Sequence, residues 1–152
     1  MDDFDALYEI MSDAETMQHY PAPFDEARTG RWIEWNLENY ARYGFGLWAV
    51  VLKETGEFIG DCGITIQNID GEKLPEIGYH IHKKFWRHGY AKEAAKAVRD
   101  WAFENTDYPS IYNPPIKLYI FFKTNCTFFP TIRSTRIIPP LYRFYCHYGS
   151  HK

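Results

Sequence analysis

Hydrophobic residues recur at helical spacing in the first part of the chain. They lie three or four positions apart at Phe4, Leu7, Tyr8 and Met11. This spacing predicts a short amphipathic helix over residues 3–11. The Pro-Ala-Pro sequence at residues 21–23 then interrupts regular structure, because proline has no backbone N–H to donate.

A second helix is predicted between two residues that are typical of helix ends. Asp25 suits the N-cap, where its carboxylate can accept a hydrogen bond from the first turn, and Gly44 suits the stop after Tyr43. The side chains expected to form the buried stripe of this helix are Ile33, Leu37, Tyr40 and Ala41. The chain is therefore expected to begin with two helices.

After Gly46 the hydrophobic pattern changes to that of β-strands. Residues 47–52 and 58–66 are rich in apolar and β-branched side chains, and turn-forming residues at 54–57 separate them. This arrangement predicts an antiparallel hairpin.

A third strand is predicted over residues 75–82, after a turn at residues 68–71. The alternation of side chains along a strand defines its two faces. One face is expected to carry Ile77, Tyr79 and Ile81, and the other Glu76, Gly78, His80 and His82.

A helix over residues 89–104 is predicted to follow this strand. Its inward face is expected to comprise Ala91, Ala94, Ala95, Val98, Trp101 and Ala102, and its outward face Lys92, Lys96, Arg99 and Asp100. The predicted order of elements is ααβββα. This order is typical of the α+β class, here a mixed, mostly antiparallel sheet flanked by helices.

Length and composition favour one soluble domain. The 152 residues are 45% hydrophobic and 18% aromatic, which is enough for a packed core. No apolar run reaches the roughly 18 residues of a membrane span, and acidic residues follow Met1 where a signal peptide has basic ones. We therefore expect a cytoplasmic protein. The cysteines lack the spacing of a disulfide framework or a zinc site and are expected to be reduced thiols: Cys62, Cys126 and Cys146.

The junction between the third strand and the last helix has the composition of an anion site. The first turn of a helix has backbone N–H groups without internal partners, and these can bind phosphate. Gly89 allows the backbone to approach an anion closely, while Arg87, His88 and Lys92 supply positive charge. Taken alone, such a loop is more often a tight turn, and Arg87 and Lys92 are then ordinary surface charges.

Three short motifs occur together in this part of the chain. They are Leu-Pro-Glu-Ile-Gly-Tyr-His-Ile at residues 74–81, Trp-Arg-His-Gly-Tyr-Ala-Lys-Glu-Ala at 86–94, and Gly-Glu-Phe-Ile-Gly at 56–60. Together they resemble the GNAT acetyltransferase superfamily, and more narrowly its RimJ/RimL-like branch of N-acetyltransferases. The resemblance covers about residues 4–112 and implies a GNAT-like fold with acetyl-CoA as the cosubstrate.

The resemblance also implies roles for particular residues. Backbone groups of Tyr79 and Ile81 would lie beside the pantetheine arm, and the loop and helix start would bind the pyrophosphate. The cofactor-binding loop and helix start then comprise Trp86, Arg87, His88, Gly89, Tyr90, Ala91 and Lys92. Glu76 is the candidate catalytic base, acting directly or through water, and a backbone N–H near Tyr79 is the candidate oxyanion donor.

Other interpretations of these side chains stay open. Glu76 could be an ordinary solvated strand residue. His80 and His82 share its face and could be imagined as metal ligands, but no third ligand at suitable spacing is evident, so no metal is expected. Trp32 and Trp35 are expected to be packing residues, although the first two helices border the acceptor site in the family.

The chain departs from the family pattern at both ends. A first strand before the helix at Phe4 cannot be matched, and neither can the elements that normally follow Tyr112, namely the rest of the fifth strand, a helix and two closing strands. Residues 1–110 carry 11 basic and 20 acidic side chains, whereas residues 111–152 carry 6 basic and none that is acidic. We therefore interpret residues 1–112 as the acetyltransferase core.

Residues 113–152 are interpreted as an atypical basic, aromatic, proline-containing tail and not as an independent domain. Ala, Val, Asp and Glu are absent from it, and Gly occurs once. Codons for these five types begin with G, so a shift of reading frame near Tyr112 would produce this bias. The alternative is a divergent tail whose aromatic side chains cover a sheet edge: Tyr119, Phe121, Phe122, Phe128 and Phe129. In either case the tyrosine that many relatives use as general acid cannot be assigned.

The predicted function is acetyl-CoA-dependent transfer of an acetyl group to a primary amine, either a protein N-terminus or a small amine. The amine would attack the thioester directly, and bringing the two together supplies most of the rate. One alternative is a catalytically impaired remnant that binds CoA weakly or not at all. Nucleic-acid binding by the tail is disfavoured because its basic residues are scattered. No membrane partner is expected, and a homodimer stays open.

Overall fold

The computed structural model describes residues 3–69, 71–112, 121–122 and 143–146. The order of elements confirms the predicted α+β class and the sequence ααβββα. The elements are α1 (Phe4–Met11), α2 (Glu26–Tyr43), β1 (Leu47–Leu52), β2 (Phe58–Ile69), β3 (Glu72–Ile81), a 3-10 turn (Lys83–Phe85), α3 (Tyr90–Asn105), β4 (Ser110–Ile111), β5 (Phe121–Phe122) and β6 (Arg143–Cys146). In the described part of the chain, no helix is long and apolar enough to cross a membrane.

Helix α2 has the two ends that the sequence predicts. The carboxylate of Asp25 accepts a hydrogen bond from the Arg28 N–H at 2.7 Å, and this satisfies a donor that has no partner within the helix. Gly44 ends the helix in the left-handed conformation at φ 77°, where a side chain would add strain.

The buried face of α2 differs from the predicted stripe. Leu37 is 44% exposed and Ala41 is also exposed, so the expectation that both face inward was wrong. The buried positions of this helix are Thr29, Ile33, Asn36 and Asn39. A hydrogen bond explains the rotation, because the Asn36 side-chain oxygen accepts from the Leu47 N–H at 3.0 Å. The helix is therefore oriented so that the side chain of Asn36 faces inward and accepts the hydrogen bond of the first residue of β1.

The sheet is built around β2, which pairs antiparallel with β1 and with β3. The strand order is β3-β2-β1-β6, and β6 pairs in parallel with β1. The β2–β3 register runs from Gly60 opposite Ile81 to Ile69 opposite Glu72, so the turn between the strands holds only two residues. Both strands are therefore longer than the sequence pattern indicates.

Pro75 lies inside β3 because this strand has β2 on only one side over most of its length. The N–H of Ile77 donates to the Tyr112 carbonyl at 2.8 Å, and the Tyr112 N–H donates to the Pro75 carbonyl at 2.9 Å. Backbone groups of alternate residues point to the same side of a strand. The missing donor of Pro75 thus faces away from β2 and costs no hydrogen bond with it. By the same alternation, the N–H and C=O of Tyr79 point to this outer side.

Two buried clusters hold the helices against the sheet. One lies between the sheet and α3 and includes Ile64, Ile77 and Val98. The other joins α1, α2 and the segment between them, and comprises Leu7, Met11, Met17, Phe24 and Ile33. The segment that connects α1 to α2 is thereby packed into the core.

The interpretation of residues 113–152 as a tail stays a prediction. Tyr119, Phe128 and Phe129 lie outside the described residues. The backbone of Phe121 and Phe122 forms β5 and pairs antiparallel with β4. The parallel pairing of β6 with β1 also places a short strand from this tail at the sheet edge next to β1.

Candidate functional site

A cavity of about 640 Å³ opens where β3, the 3-10 turn and the start of α3 meet the segment between α1 and α2. Most of the site residues expected from the sequence line it. They are Glu76, Tyr79, Ile81, Trp86, Arg87, Gly89, Tyr90, Ala91 and Lys92. His88 is the exception: it is exposed and does not line the cavity, because its Nδ1 bonds the Trp86 carbonyl at 2.9 Å and its ring stacks on Tyr90.

The loop before α3 has an unusual backbone. Arg87 has φ 66° and Gly89 has φ 88°, so two of three successive residues adopt positive φ. Such a turn directs successive N–H groups towards one side, an arrangement that binds anions. The Glu93 N–H donates to the Gly89 carbonyl at 3.0 Å and begins the intrahelical series, so the amides of Ala91 and Lys92 precede it.

The end of β3 is tied to this loop by one side chain. The Trp86 indole N–H donates to the Ile81 carbonyl at 2.6 Å, on the outer side of the strand. This bond fixes the loop beside the backbone of Tyr79, whose N–H and C=O point to the same side. The strand edge and the helix start therefore form two adjoining walls of one cavity.

Glu76 lines the cavity, where it is half-buried. Burial raises the pKa of its carboxyl above the ordinary value, because desolvation disfavours the charged form. Its neighbour across the hairpin is the buried Thr65. Gly78, the next residue on the same face of β3, has no side chain to occupy the cavity beside it. A carboxyl group with a raised pKa, placed in a cavity, is suited to exchange protons with a bound molecule.

A hydrogen-bonded chain that the sequence pattern does not single out runs along the same wall. His80 Nδ1 lies 2.8 Å from Asp61 Oδ1, and His80 Nε2 lies 2.8 Å from the Tyr20 hydroxyl. Asp61 and His80 are buried, at 5% and 7% exposure, while Tyr20 is partly exposed and lines the cavity. The chain thus connects a buried carboxylate to the cavity surface.

The charges around this chain shift two pKa values. Burial raises the pKa of Tyr20 to about 12, and the negative charges of Asp61 and Glu76 add to the effect against a smaller opposing effect of Arg28. Burial by itself lowers the pKa of His80, but the charge and hydrogen bond of Asp61 outweigh it, so the pKa of His80 is raised. Tyr20 therefore stays a phenol at neutral pH, and Asp61 favours the protonated form of His80 over the form expected for an imidazole in water.

Trp32 combines the packing role expected for it with a place in the cavity. Its indole N–H lies 3.5 Å from Asp61 Oδ2, and its ring meets His80 edge-on with centroids 5.7 Å apart. Trp35 packs on Trp32 with centroids 4.9 Å apart and does not line the cavity. The remaining lining residues from the α1–α2 connection are Thr16, Gln18 and His19.

The register of the hairpin contains the signal that relates Asp61 to His80. A two-residue Asp-Gly loop is the most favoured hairpin turn, and such a loop at Asp70 and Gly71 places residue 61 opposite residue 80. Tyr20 has no comparable signal, since its place depends on the packing of Met17 and on the hydrogen bond from its N–H to the Met17 carbonyl at 2.9 Å.

Metal ligands do not assemble at this site within the described residues, where no group of three or more His, Cys, Asp or Glu side chains could hold an ion. His80 bonds Asp61 and Tyr20, and His82 bonds Glu9 at 3.2 Å. The two histidines therefore have separate partners.

Comparisons with known proteins agree with this architecture. Residues 1–115 match the family described as the acetyltransferase (GNAT) domain. The YkkB protein of Bacillus subtilis (strain 168) is 38% identical over 99 residues, which cover 65% of this chain and 58% of that protein. The N-acetyltransferase p20 of Bacillus licheniformis is 30% identical over 106 residues, or 68% of this chain and 58% of that protein.

Solved structures show the same relationship. An acetyltransferase from Agrobacterium tumefaciens str. C58 has a TM-score of 0.64 at 35% identity, over 73% of this chain and 63% of that one. A GNAT-family acetyltransferase from Bacillus anthracis has a TM-score of 0.60 at 26% identity, over 74% of this chain and 63% of that one. The fold and the family match are those of an acetyltransferase. The chain belongs to the GNAT family, and it spans less than two thirds of the length of these relatives.

Proposed function

We propose that this protein transfers an acetyl group from acetyl-CoA to a primary amine, and that it belongs to the RimJ/RimL-like branch. The observation that carries the proposal is the convergence in one cavity of three features: an outer strand edge at Tyr79, a loop of positive φ before α3, and the half-buried carboxylate of Glu76. These features match the three chemical parts of the reaction, namely an amide-containing arm, a pyrophosphate and an amine.

The backbone of β3 suits the pantetheine arm. This arm contains two amide groups, so it can pair with a strand edge as another strand would. The N–H and C=O of Tyr79 point to the outer side of β3, and the Ile81 carbonyl on that side bonds the Trp86 indole. We assign Tyr79 to the arm directly, and Ile81 to holding the loop in place.

The loop and helix start suit the pyrophosphate. The residues assigned to this role are Trp86, Arg87, His88, Gly89, Tyr90, Ala91 and Lys92. Positive φ at Arg87 and Gly89 aims N–H groups outward, and the positive end of the α3 dipole lies behind them. Arg87 and Lys92 line the cavity and add formal charge, while the small side chain of Ala91 leaves room for the ligand. The side chain of His88 lies outside the cavity, so its assigned contribution is that of its backbone alone.

Glu76 is assigned as the base. The amine nitrogen attacks the thioester carbonyl carbon, the C–S bond breaks, and the sulfur leaves as thiolate. A free amine is needed for this attack, and the Glu76 carboxylate takes a proton from the ammonium directly or through water. A backbone N–H near Tyr79 is assigned as the donor to the oxygen on which negative charge develops.

The acceptor is assigned as a cationic amine, either a small molecule or a protein N-terminus. Glu76 and the Asp61-bonded His80 lie on the cavity wall, and Tyr20 and Trp32 present aromatic rings to it. Carboxylates and aromatic faces both attract ammonium groups. This part of the cavity lining therefore favours a positively charged acceptor.

Calorimetry with acetyl-CoA, followed by a thiol-release assay across a panel of amines, tests the proposal. We expect binding, and turnover with at least one amine. Lys92→Ala should weaken binding, and Lys96→Ala, an exposed lysine one turn further along α3 and outside the cavity, is the matched control. Binding without turnover would identify an impaired remnant, and failure to bind would reject the proposal.

A further inference from the structure

The chain Asp61–His80–Tyr20 has a defined direction of hydrogen-bond donation. A carboxylate can only accept, so in the neutral imidazole the hydrogen lies on Nδ1 and donates to Asp61. Nε2 is then an acceptor, and the Tyr20 hydroxyl donates its one hydrogen to it. The lone pairs of the Tyr20 oxygen are left to accept a hydrogen bond from a donor in the cavity.

Acetylation of an ammonium group releases two protons from the same nitrogen. One must leave before the nitrogen can attack, and the second leaves once the N–C bond has formed. Glu76 can hold only one of them at a time. A second proton acceptor on the cavity wall can hold the other until the departing thiolate takes it up, so that the overall reaction releases one proton.

We propose that Tyr20, His80 and Asp61 form this second acceptor, in which the Tyr20 oxygen takes a proton from the amine while its own proton passes to His80 Nε2. This inference rests on the proposed function. The imidazolium produced stays paired with the Asp61 carboxylate, so no isolated charge is left in the interior. Tyr20 is the catalytic residue of the three, and His80 and Asp61 act through it.

The surroundings favour this relay over a free phenolate. The high pKa of Tyr20, about 12, means that the hydroxyl accepts a proton only as it gives one up. The raised pKa of His80 makes the imidazole a suitable recipient. Among the described residues, the groups that face His80 are Asp61 on β2, Trp32 on α2 and Tyr20 in the α1–α2 connection, and the ring forms its hydrogen bonds with Asp61 and Tyr20.

Asp61 is held so that it orients the ring. Its Oδ1 accepts from both the main-chain N–H of His80, at 3.0 Å, and the ring Nδ1, at 2.8 Å, while Oδ2 faces the Trp32 indole N–H. Three donors on one carboxylate fix its position. The ring of His80 is thereby held with Nε2 towards the cavity wall.

Kinetics of single variants test the relay. Tyr20→Phe should lower kcat by about 10²-fold, the smaller end of the usual contribution of acid–base groups, with little change in the KM for acetyl-CoA. Tyr8→Phe removes a hydroxyl from α1, outside the cavity, and should leave kcat unchanged. Equal rates for Tyr20→Phe and the unaltered protein would overturn the relay and leave the proposed function standing.

Asp61→Asn adds a readout that a purely structural role would not produce. Neutral His80 is the active form, so kcat falls as the pH drops through the pKa of His80. Without the Asp61 charge this fall should move to lower pH. An unchanged position of this limb would overturn the relay. Absence of turnover by the unaltered protein at every pH would overturn the proposed function and the relay together.

Nitrogen NMR of the histidine rings tests the same hydrogen bonds and does not depend on enzyme activity. In the unaltered protein at pH 9 or so, His80 should carry its hydrogen on Nδ1, and Tyr20→Phe should shift the Nε2 resonance by removing its hydrogen-bond donor. A hydrogen on Nε2 would mean that Tyr20 accepts from His80. That result would overturn the relay whatever the kinetics.

Discussion

Asp61 and His80 face each other across the β2–β3 hairpin, and one carboxylate oxygen of Asp61 accepts two hydrogen bonds from His80. One comes from the main chain and the other from the imidazole, so backbone pairing and side-chain chemistry are coupled at one position. The pair is buried, yet through Tyr20 it reaches the cavity that also contains Glu76. Structural support and proton transfer are therefore assigned to the same residues.

Protonation of His80 is expected to change stability with pH. Its folded pKa is raised above the unfolded value of about 6.5, so the stabilisation is fully present below that value and is lost as the pH rises through the folded pKa. Thermal unfolding should be measured from about pH 5.5 to about pH 9. The difference in Tm between the unaltered protein and His80→Gln should decrease as the pH rises. Parallel curves for the two proteins would contradict this expectation.

Glu76→Gln should lower kcat/KM by about 10²- to 10⁴-fold, because the variant cannot accept a proton. Because the pKa of Glu76 is raised, the unaltered protein should lose activity on acidification at a higher pH than an ordinary glutamate would give. Two acid limbs are expected, the upper from His80 and the lower from Glu76, and the variant should lack the lower one. A pH profile of kcat/KM checks this, and retained acetyl-CoA binding by calorimetry controls for misfolding.

Gly89→Ala should destabilise the protein by about 1–2 kcal/mol, because a side chain at φ 88° is strained even where the surrounding space is open. The same change should weaken acetyl-CoA binding by distorting the helix start. Gly30→Ala is the matched control: it lies inside α2 with no neighbour near its added methyl group, and should stabilise by about 0.5–1 kcal/mol. Denaturant unfolding measures both, and effects of equal sign would disprove the assignment of strain to Gly89.

Gly63→Ala should destabilise by about 1–3 kcal/mol or more, because its methyl carbon would lie 2.0 Å from the Gly46 carbonyl oxygen across the β1–β2 pair. Neither backbone can yield without breaking the pairing. Gly78→Ala meets only the Leu47 side chain at 3.7 Å, so it should fold normally and act instead by narrowing the cavity. Chemical denaturation and acetyl-CoA titration of the pair distinguish the two effects.

Asn36→Ala should cost about 1–3 kcal/mol, since it leaves the buried Leu47 N–H without its acceptor. Leu37→Ala, its neighbour on α2, should cost much less because the leucine is 44% exposed. Urea unfolding of both variants is a direct test of which face of α2 is buried. A larger loss of stability in Leu37→Ala would instead support the buried face that the hydrophobic pattern predicts.

The sequence pattern predicts elements better than it predicts faces or partners. Helix α2 begins and ends as expected, because Asp25 and Gly44 act through local geometry. Its buried face is different because Asn36 bonds β1, and hydrophobicity contains no information on that bond. Strand lengths depend in the same way on a pairing partner, which is why β2 and β3 extend beyond the predicted ranges.

The candidate site likewise has a part that local sequence predicts and a part that depends on the tertiary structure. The loop at Arg87 and Gly89 is a local motif with a composition that can be recognised, and its residues lie together in the cavity apart from His88. Asp61 and His80 are distant in sequence and meet only through the hairpin register. Tyr20 depends on tertiary packing alone and has no local signature.

The two-residue turn at the tip of the β2–β3 hairpin restricts how this protein can evolve. Hairpin tips usually tolerate insertions, but a slip of one residue in register turns every side chain of a strand to the opposite face. One added residue that shifted β3 in this way would direct the ring of His80 away from Asp61, and Glu76 away from the cavity. Insertions between Ile69 and Glu72 are therefore constrained by the chemistry of residues that lie further along the two strands.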